Sequence, residues 1–227
     1  MDSITEKARI ARNEIETCEQ AHIPPQRDTG IPAVDEALDW LCESARSVID
    51  FGCGNGTMLF LCALRGTRRL IGIDPSPAAI QLARESAALM KRGKYEWIEA
   101  GPEALDTVKR SSVNAAILSG IADTLAPDDA QTMLAQIRRI VRPRGRVLVM
   151  VSPYLSPAEL ARNAYAAWGD PCDDRPLLWN LPTEKWVALL RQHFNLEGCT
   201  EAYDPEREQL IRLFTLQVPP RRNKVQG

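Results

Sequence analysis

Between Ser47 and Val151, short apolar runs alternate with longer segments whose apolar residues recur every three or four positions. That rhythm marks strands alternating with helices. Ser47–Phe51, Arg69–Ile73, Tyr95–Ile98, Val113–Leu118 and Arg146–Val151 read as five strands. Helices are predicted at Thr57–Leu64, Pro77–Lys91 and Asp128–Arg142, the last stopped by Pro143. In the second of these, Pro77 suits the first turn, and Ile80, Ala83, Ala87 and Met90 share an inward face. Upstream, Ile4, Ala8, Ala11, Ile15 and Cys18 step by four and three along one helical face that Pro24-Pro25 ends. A second short helix is expected at Pro32–Cys42, with Val34, Leu38 and Leu41 on one side. The alternation predicts an α/β chain, a mostly parallel sheet with helices on both faces.

After Ser152 the rhythm breaks. Residues 153–182 hold five prolines and the aromatics Tyr154, Tyr165, Trp168 and Trp179, with a helix expected at Pro157–Trp168. Thr183–His193 reads as a helix capped by Thr183, and Leu196–Tyr203 and Leu210–Val218 read as two closing strands, seven in all. The expected organisation is an N-terminal helical lid (1–44), a core (45–152), a lid insertion (153–182), the rest of the core (183–218) and a tail (219–227).

Composition narrows the class. The chain has 227 residues, 44% of them apolar and 26% charged, the mixture of a globular protein and not of a disordered or disulfide-scaffold chain. Twenty-eight basic residues against thirty acidic ones argue against a polybasic coat for nucleic acid or anionic membrane. No secretory signal and no apolar run of spanning length is visible, so a cytoplasmic location is expected. Six scattered cysteines, no C-x-x-C pair and two histidines speak against a zinc site.

The most informative segment is Val48-Ile49-Asp50-Phe51-Gly52-Cys53-Gly54-Asn55-Gly56-Thr57, set where a strand turns into a helix. Such turns form the ligand crevice of open α/β sheets, and glycine lets the backbone approach a ligand closely. The spacing is G-x-G-x-G. A dinucleotide fingerprint would need its third glycine at Thr57. Asp74 ends the second strand, where a carboxylate can accept both hydroxyls of a ribose; the alternative is that Asp74-Pro75-Ser76 only caps the next helix.

Through VIDFGCGNG, LIGIDPSPAAIQLAR and IRRIVRPRGRVLVMV, the chain resembles the class I S-adenosylmethionine-dependent methyltransferases, of the type 11/25 kind. The resemblance implies a Rossmann-like seven-stranded sheet with an antiparallel last strand. It implies S-adenosylmethionine as cofactor and S-adenosylhomocysteine as product. Asp50, Gly52, Cys53, Gly54, Asn55, Gly56, Asp74, Pro75 and Ser119 would line the cofactor site. The family's turn after the third strand usually offers an aspartate to adenine. Here Gly101 and Pro102 stand in that turn, leaving Glu99 or Glu103 for the role, or packing against Ile73 or Pro75.

Methyl transfer is an in-line displacement, helped by alignment and, for a protonated acceptor, by a base. Asp123 after the fourth strand is the candidate base or orienting group, its alternative being a support for the following loop. His22 is a second candidate, and a surface turn is its alternative. Tyr154, Tyr165, Trp168 and Trp179 are candidate acceptor contacts or simply the small core of a lid; Asp170, Asp173 and Asp174 fit a solvated loop. His193 suits a helix C-terminus. Five arginines between Arg138 and Arg146 fit a cationic helix end better than an RNA patch. The reading is a methyltransferase acting on a small molecule, as monomer or homodimer, with no metal, membrane or nucleic-acid partner. Its rivals are a nicotinamide-dependent oxidoreductase, a non-catalytic cofactor-binding protein and a methyltransferase acting on RNA or protein.

Overall fold

A computed structural model describes residues 21, 24, 27–162, 166–167, 177–205 and 208–221. The expected helix over residues 4–18 lies outside them, as do residues 222–227 of the tail. In chain order the elements are α1 (Pro32–Cys42), β1 (Ser47–Phe51), α2 (Thr57–Leu64), β2 (Arg69–Asp74), α3 (Pro77–Leu89), β3 (Lys94–Glu99), α4 (Ala104–Thr107), β4 (Val113–Ser119), α5 (Pro127–Ile140) and β5 (Val141–Val151). There follow α6 (Pro157–Arg162), β6 (Ala166–Ala167), β7 (Leu177–Leu178), α7 (Thr183–Leu190), β8 (Asn195–Asp204) and β9 (Gln209–Gln217).

Seven strands form one sheet in the order β3-β2-β1-β4-β5-β9-β8. β1 to β5 pair in parallel, and β9 runs antiparallel to both β5 and β8. The expected seven strands and antiparallel last strand are therefore present. The order reverses between β1, which pairs β2, and β4 on its other side, the place where an open α/β sheet parts to form a crevice.

Alternation along the strands divides the core into two layers. Ile49, Phe51, Ile71, Leu118 and Val149 meet Met133, Leu134 and Ile137 of α5 and Trp186 and Leu190 of α7. Val48, Leu70, Ile117 and Leu148 face the other way, onto Val34, Leu38 and Leu41 of α1 and Leu59 and Leu61 of α2. Each fully buried aliphatic side chain contributes about 1.5–3 kcal/mol. Arg65, its side chain 2% exposed, ties α1 to the end of α2 through Asp35 at 3.0 Å and Asp39 at 2.8 Å. Among the described residues, no helix is long and apolar enough to cross a membrane.

Several boundaries differ from the sequence reading, each for a tertiary reason. α5 ends at Ile140, short of Pro143, because Val141 already pairs with Val113 and opens β5. The helix expected over Pro157–Trp168 stops at Arg162; Ala166 and Ala167 pair instead with Leu177 and Leu178. Thr183 does not cap α7: Pro182 holds that position and the Thr183 hydroxyl accepts from Arg212. The four-residue α4 was not foreseen.

Candidate functional site

β1 delivers the glycine loop to the crevice. Gly52, Gly54 and Gly56 have φ of 76°, 51° and 86°, a region that side chains with a Cβ rarely adopt. The loop is closed by backbone bonds: Gly52 and Cys53 donate to Ile73 O, and Gly56 donates to Cys53 O. Asn55 takes the Thr57 amide at 3.2 Å and its hydroxyl at 2.8 Å, fixing the start of α2. Space is as restricted as conformation. A Cβ on Gly52 would stand 3.0 Å from Ile121, and one on Gly56 would stand 2.5 Å from the Trp97 ring.

Trp97 escaped the sequence reading. It lies on β3, stacked on Tyr95 and edge-on to Phe60, and a Cβ on Gly72 would meet its ring at 2.4 Å. The available signal was Gly72 itself, since a glycine in the middle of a strand marks close approach of a neighbour.

Asp74, 2% exposed, joins the loop to the next helix. One carboxylate oxygen accepts the Gly54 amide and the other the Ser76 amide, both at 2.9 Å. Ser76 Oγ in turn caps α3 by accepting from Ala79 N. Asp74 thus organises the helix start, as one of its two sequence readings expects, and it also braces the glycine loop. A carboxylate oxygen has room for a second donor beside each amide, so a ribose diol fits this chemistry. Pro75 is half-buried beside it, and Asp50 is buried near the end of β1.

The turn after β3, where the resemblance sets the adenine, is arranged differently. Gly101 donates its amide to Glu103 Oε1 at 2.9 Å, and a Cβ on Gly101 would stand 2.7 Å from Glu103 Oε2. Pro102 has no amide to offer. The exposed Glu103 carboxylate is thus the acceptor poised at this turn. Ser119, half-buried at the tip of β4, and Gly120, at φ 62°, form the opposite wall.

Beyond Ser119, the chain enters a clamp. Asp123 is 1% exposed; Oδ2 accepts the Ser152 amide at 2.7 Å, its carbonyl accepts from Trp179 N at 2.6 Å, and Oδ1 is buried without a hydrogen bond. Burial, foremost, pushes its carboxyl above the ordinary aspartate value, against the pull of Ser152 and Arg212. Arg212 of β9, also 1% exposed, donates to Ser152 O from Nε and Nη2, and from Nη1 to Leu181 O and Thr183 Oγ1. Ser152 is held by its amide from Asp123 and by its carbonyl from Arg212. Nothing in the sequence pattern linked residues so far apart.

Of the aromatic candidates, Trp179 packs edge-on to Trp186 at 5.2 Å and joins the core, whereas Tyr154 is 57% exposed. Tyr165, Trp168, Asp170, Asp173, Asp174 and His22 lie outside the described residues. His193 sits in the turn after α7, its imidazole pushed below the usual value by burial and then by Arg138.

Residues 48–145 match a family model described as "Methyltransferase domain". The ribosomal protein L11 methyltransferase of Pseudomonas paraeruginosa is 30% identical over 142 residues, 61% of this chain and 45% of the relative. The chain thus spans about half the length of the curated relatives it matches. Among solved structures, Burkholderia thailandensis 1,6-didemethyltoxoflavin-N1-methyltransferase, with that compound and S-adenosylhomocysteine bound, superposes with a TM-score of 0.65 at 20% identity, covering 96% of this chain and 92% of that one. The N-methyltransferase NodS of Bradyrhizobium japonicum, in complex with S-adenosylhomocysteine, gives 0.67 at 15% identity, covering 93% and 99%. In its glycine loop, its strand order and the match over residues 48–145, the chain is similar to methyltransferase domains, and the solved structures share its fold.

Proposed function

We propose that the chain transfers a methyl group from S-adenosylmethionine to a small-molecule acceptor. The observation that carries the cofactor half of this reading is the Asp74 carboxylate, buried at the end of β2 and braced by the Gly54 and Ser76 amides beside the glycine loop. Gly52, Gly54 and Gly56 would face the methionine and ribose portions, Asp74 the ribose diol, and Glu103 with Pro75 the adenine. Ser119 would close the wall.

The cofactor's sulfonium supplies an electrophilic methyl and a neutral leaving group. The protein's own contribution is alignment, which can be worth several orders of magnitude in rate. Asp123 contributes by position: buried and hydrogen-bonded to Ser152, it fixes the point where β5 leads toward α6. The small-molecule acceptor is favoured by the structures that superpose over nearly the whole chain, one of them bound to a small heterocyclic substrate. A protein acceptor is the second reading, favoured by the 30% identity to enzymes named for a ribosomal protein.

Calorimetric titration with S-adenosylhomocysteine, with NADH as control, tests the cofactor site. Micromolar binding of the first alone is expected, and binding of NADH alone would replace the reading with a nicotinamide one. Methyl-labelled cofactor added to a cell extract then separates the acceptors. Label in the low-molecular-weight fraction supports the proposal, and label in a protein band supports the second reading.

A further inference from the structure

The two ends of the sheet carry opposite charge. At the crevice end Glu99, Glu103, Asp128 and Asp129 are exposed. At the other end, where the parallel strands begin, Arg46, Arg68 and Lys94 are exposed and contiguous: Arg68 N donates to Arg46 O and Lys94 N to Arg68 O. The row continues past β1. Arg110 precedes β4 beside the end of α5, where Ser111 N donates to Arg139 O, and Arg142 and Arg144 stand exposed in the first residues of β5. Among the described residues, none of these six cations is in an ion pair, whereas Arg69 is paired with Glu96 and Arg146 with Glu43.

A helix end does not account for the row. Only Arg138 and Arg139 lie in the last turn of α5; Arg142, Arg144 and Arg146 belong to β5. The chain's net charge of −2 gives no sign of this local row.

We propose that this edge is a docking face for folded RNA, gripping its phosphate backbone. Neighbouring strands stand about 4.8 Å apart, so their first residues present cations along a line that a phosphate chain can follow. Arginine dominates, and its guanidinium matches phosphate in bidentate fashion. A cavity of about 120 Å³ indents the edge between Ser44, Asn114, Arg142 and Arg144, a recess for one phosphate group. Among the described residues no helix projects from the edge to enter a DNA major groove, and A-form RNA is recognised mainly through its shape and phosphates. Interfacial membrane binding needs an apolar face beside the cations. Of the exposed large apolar residues among those described, only Leu89, at the end of α3, adjoins the edge. β1, five residues long, separates the edge from the glycine loop by roughly 17 Å, so docked RNA is a tether and not the methyl acceptor.

The test is fluorescence anisotropy with a labelled RNA hairpin over a salt series, using the full chain. Saturable binding that weakens steeply with salt is expected. Arg46→Glu/Arg142→Glu/Arg144→Glu should lower the affinity at least tenfold and reduce the magnitude of the log–log salt slope by about 3. The triple Arg→Lys variant should stay within a few-fold of wild type, and both variants should bind S-adenosylhomocysteine as wild type does. Should the glutamate variant fail to fold, the corresponding triple Arg→Gln carries the same comparison. Absence of RNA binding by the wild type, or unchanged binding by the glutamate variant, overturns the proposal. Tighter binding to a DNA duplex of equal length or to phosphatidylserine vesicles overturns the choice of RNA.

Discussion

The two walls of the crevice are built by different means. The wall proposed for the cofactor is local: three glycines within five residues, a carboxylate at the next strand end and backbone amides that hold both in register. The wall proposed for the acceptor is assembled from afar. Ser152 is gripped by Asp123 from the β4 tip and by Arg212 from β9, which also holds Leu181 and Thr183. The first arrangement relies on backbone groups and one carboxylate close in the chain; the second relies on two buried side chains brought from distant strands.

The comparison breaks most visibly at Arg212. Arg212→Met removes the donors for two half-buried carbonyls and a hydroxyl, and should destabilise the chain by about 3–5 kcal/mol. Urea denaturation measures this, and a loss below 1 kcal/mol would mean that the clamp is ornamental.

On the cofactor wall the larger effect is on binding. Gly56→Ala forces a Cβ toward the Trp97 ring at a φ of 86°. It should weaken S-adenosylhomocysteine binding at least tenfold, given a backbone penalty of about 1–2 kcal/mol plus overpacking. Asp74→Asn keeps a hydrogen-bond acceptor but loses the charge, and calorimetry should show about ten- to a hundredfold weaker binding, from the 1.5–3 kcal/mol typical of charged partners. Wild-type affinity in that variant would remove Asp74 from the ribose site. Ser76→Ala, which deletes only the α3 cap, should cost about 1 kcal/mol of stability.

The smallest effect sharpens the distinction by its pH dependence. Burial raises the Asp123 carboxyl above its ordinary 3.8. The folded chain therefore holds this proton more tightly than the unfolded chain does. The group's contribution to stability is most favourable at low pH and declines as pH climbs from 3.8 through the raised value. Asp123→Asn retains an acceptor for Ser152 and abolishes the titration. The difference in unfolding free energy between wild type and variant should tilt across that range. Parallel curves would show that Asp123 titrates as a solvated side chain.

The same contrast decides what could be read in advance. The strands, their mostly parallel pairing and the glycine loop were legible because period-2 and period-3.6 patterns and glycine spacing are local properties, whereas the antiparallel last strand was expected only from the resemblance. Gly52, Gly54 and Gly56 all proved to occupy the left-handed region. Arg212 looked like one polar residue in a closing strand, and nothing near it announced a buried role. Trp97 looked like an alternating strand residue, and its place under the loop depended on the register that sets it beside Gly72. The helix expected beyond Arg162 failed because a two-residue pairing with Leu177 and Leu178 overrode local propensity. The arginines of 138–146 were assigned to a helix end since the pattern did not show that β5 begins at Val141.

Chain order gives the late insertion of β9 a consequence for biosynthesis. β5 meets β4 as soon as both have left the ribosome, yet its other side stays an open, apolar edge until residues 209–217 arrive to fill it. The cofactor wall can therefore settle while the chain is still being made, but the clamp cannot, because Arg212 travels on that last strand. Nascent chains stalled ahead of β9 carry an exposed strand of the kind that recruits chaperones or pairs with its like. The last strand to join the sheet is the one that fixes Ser152.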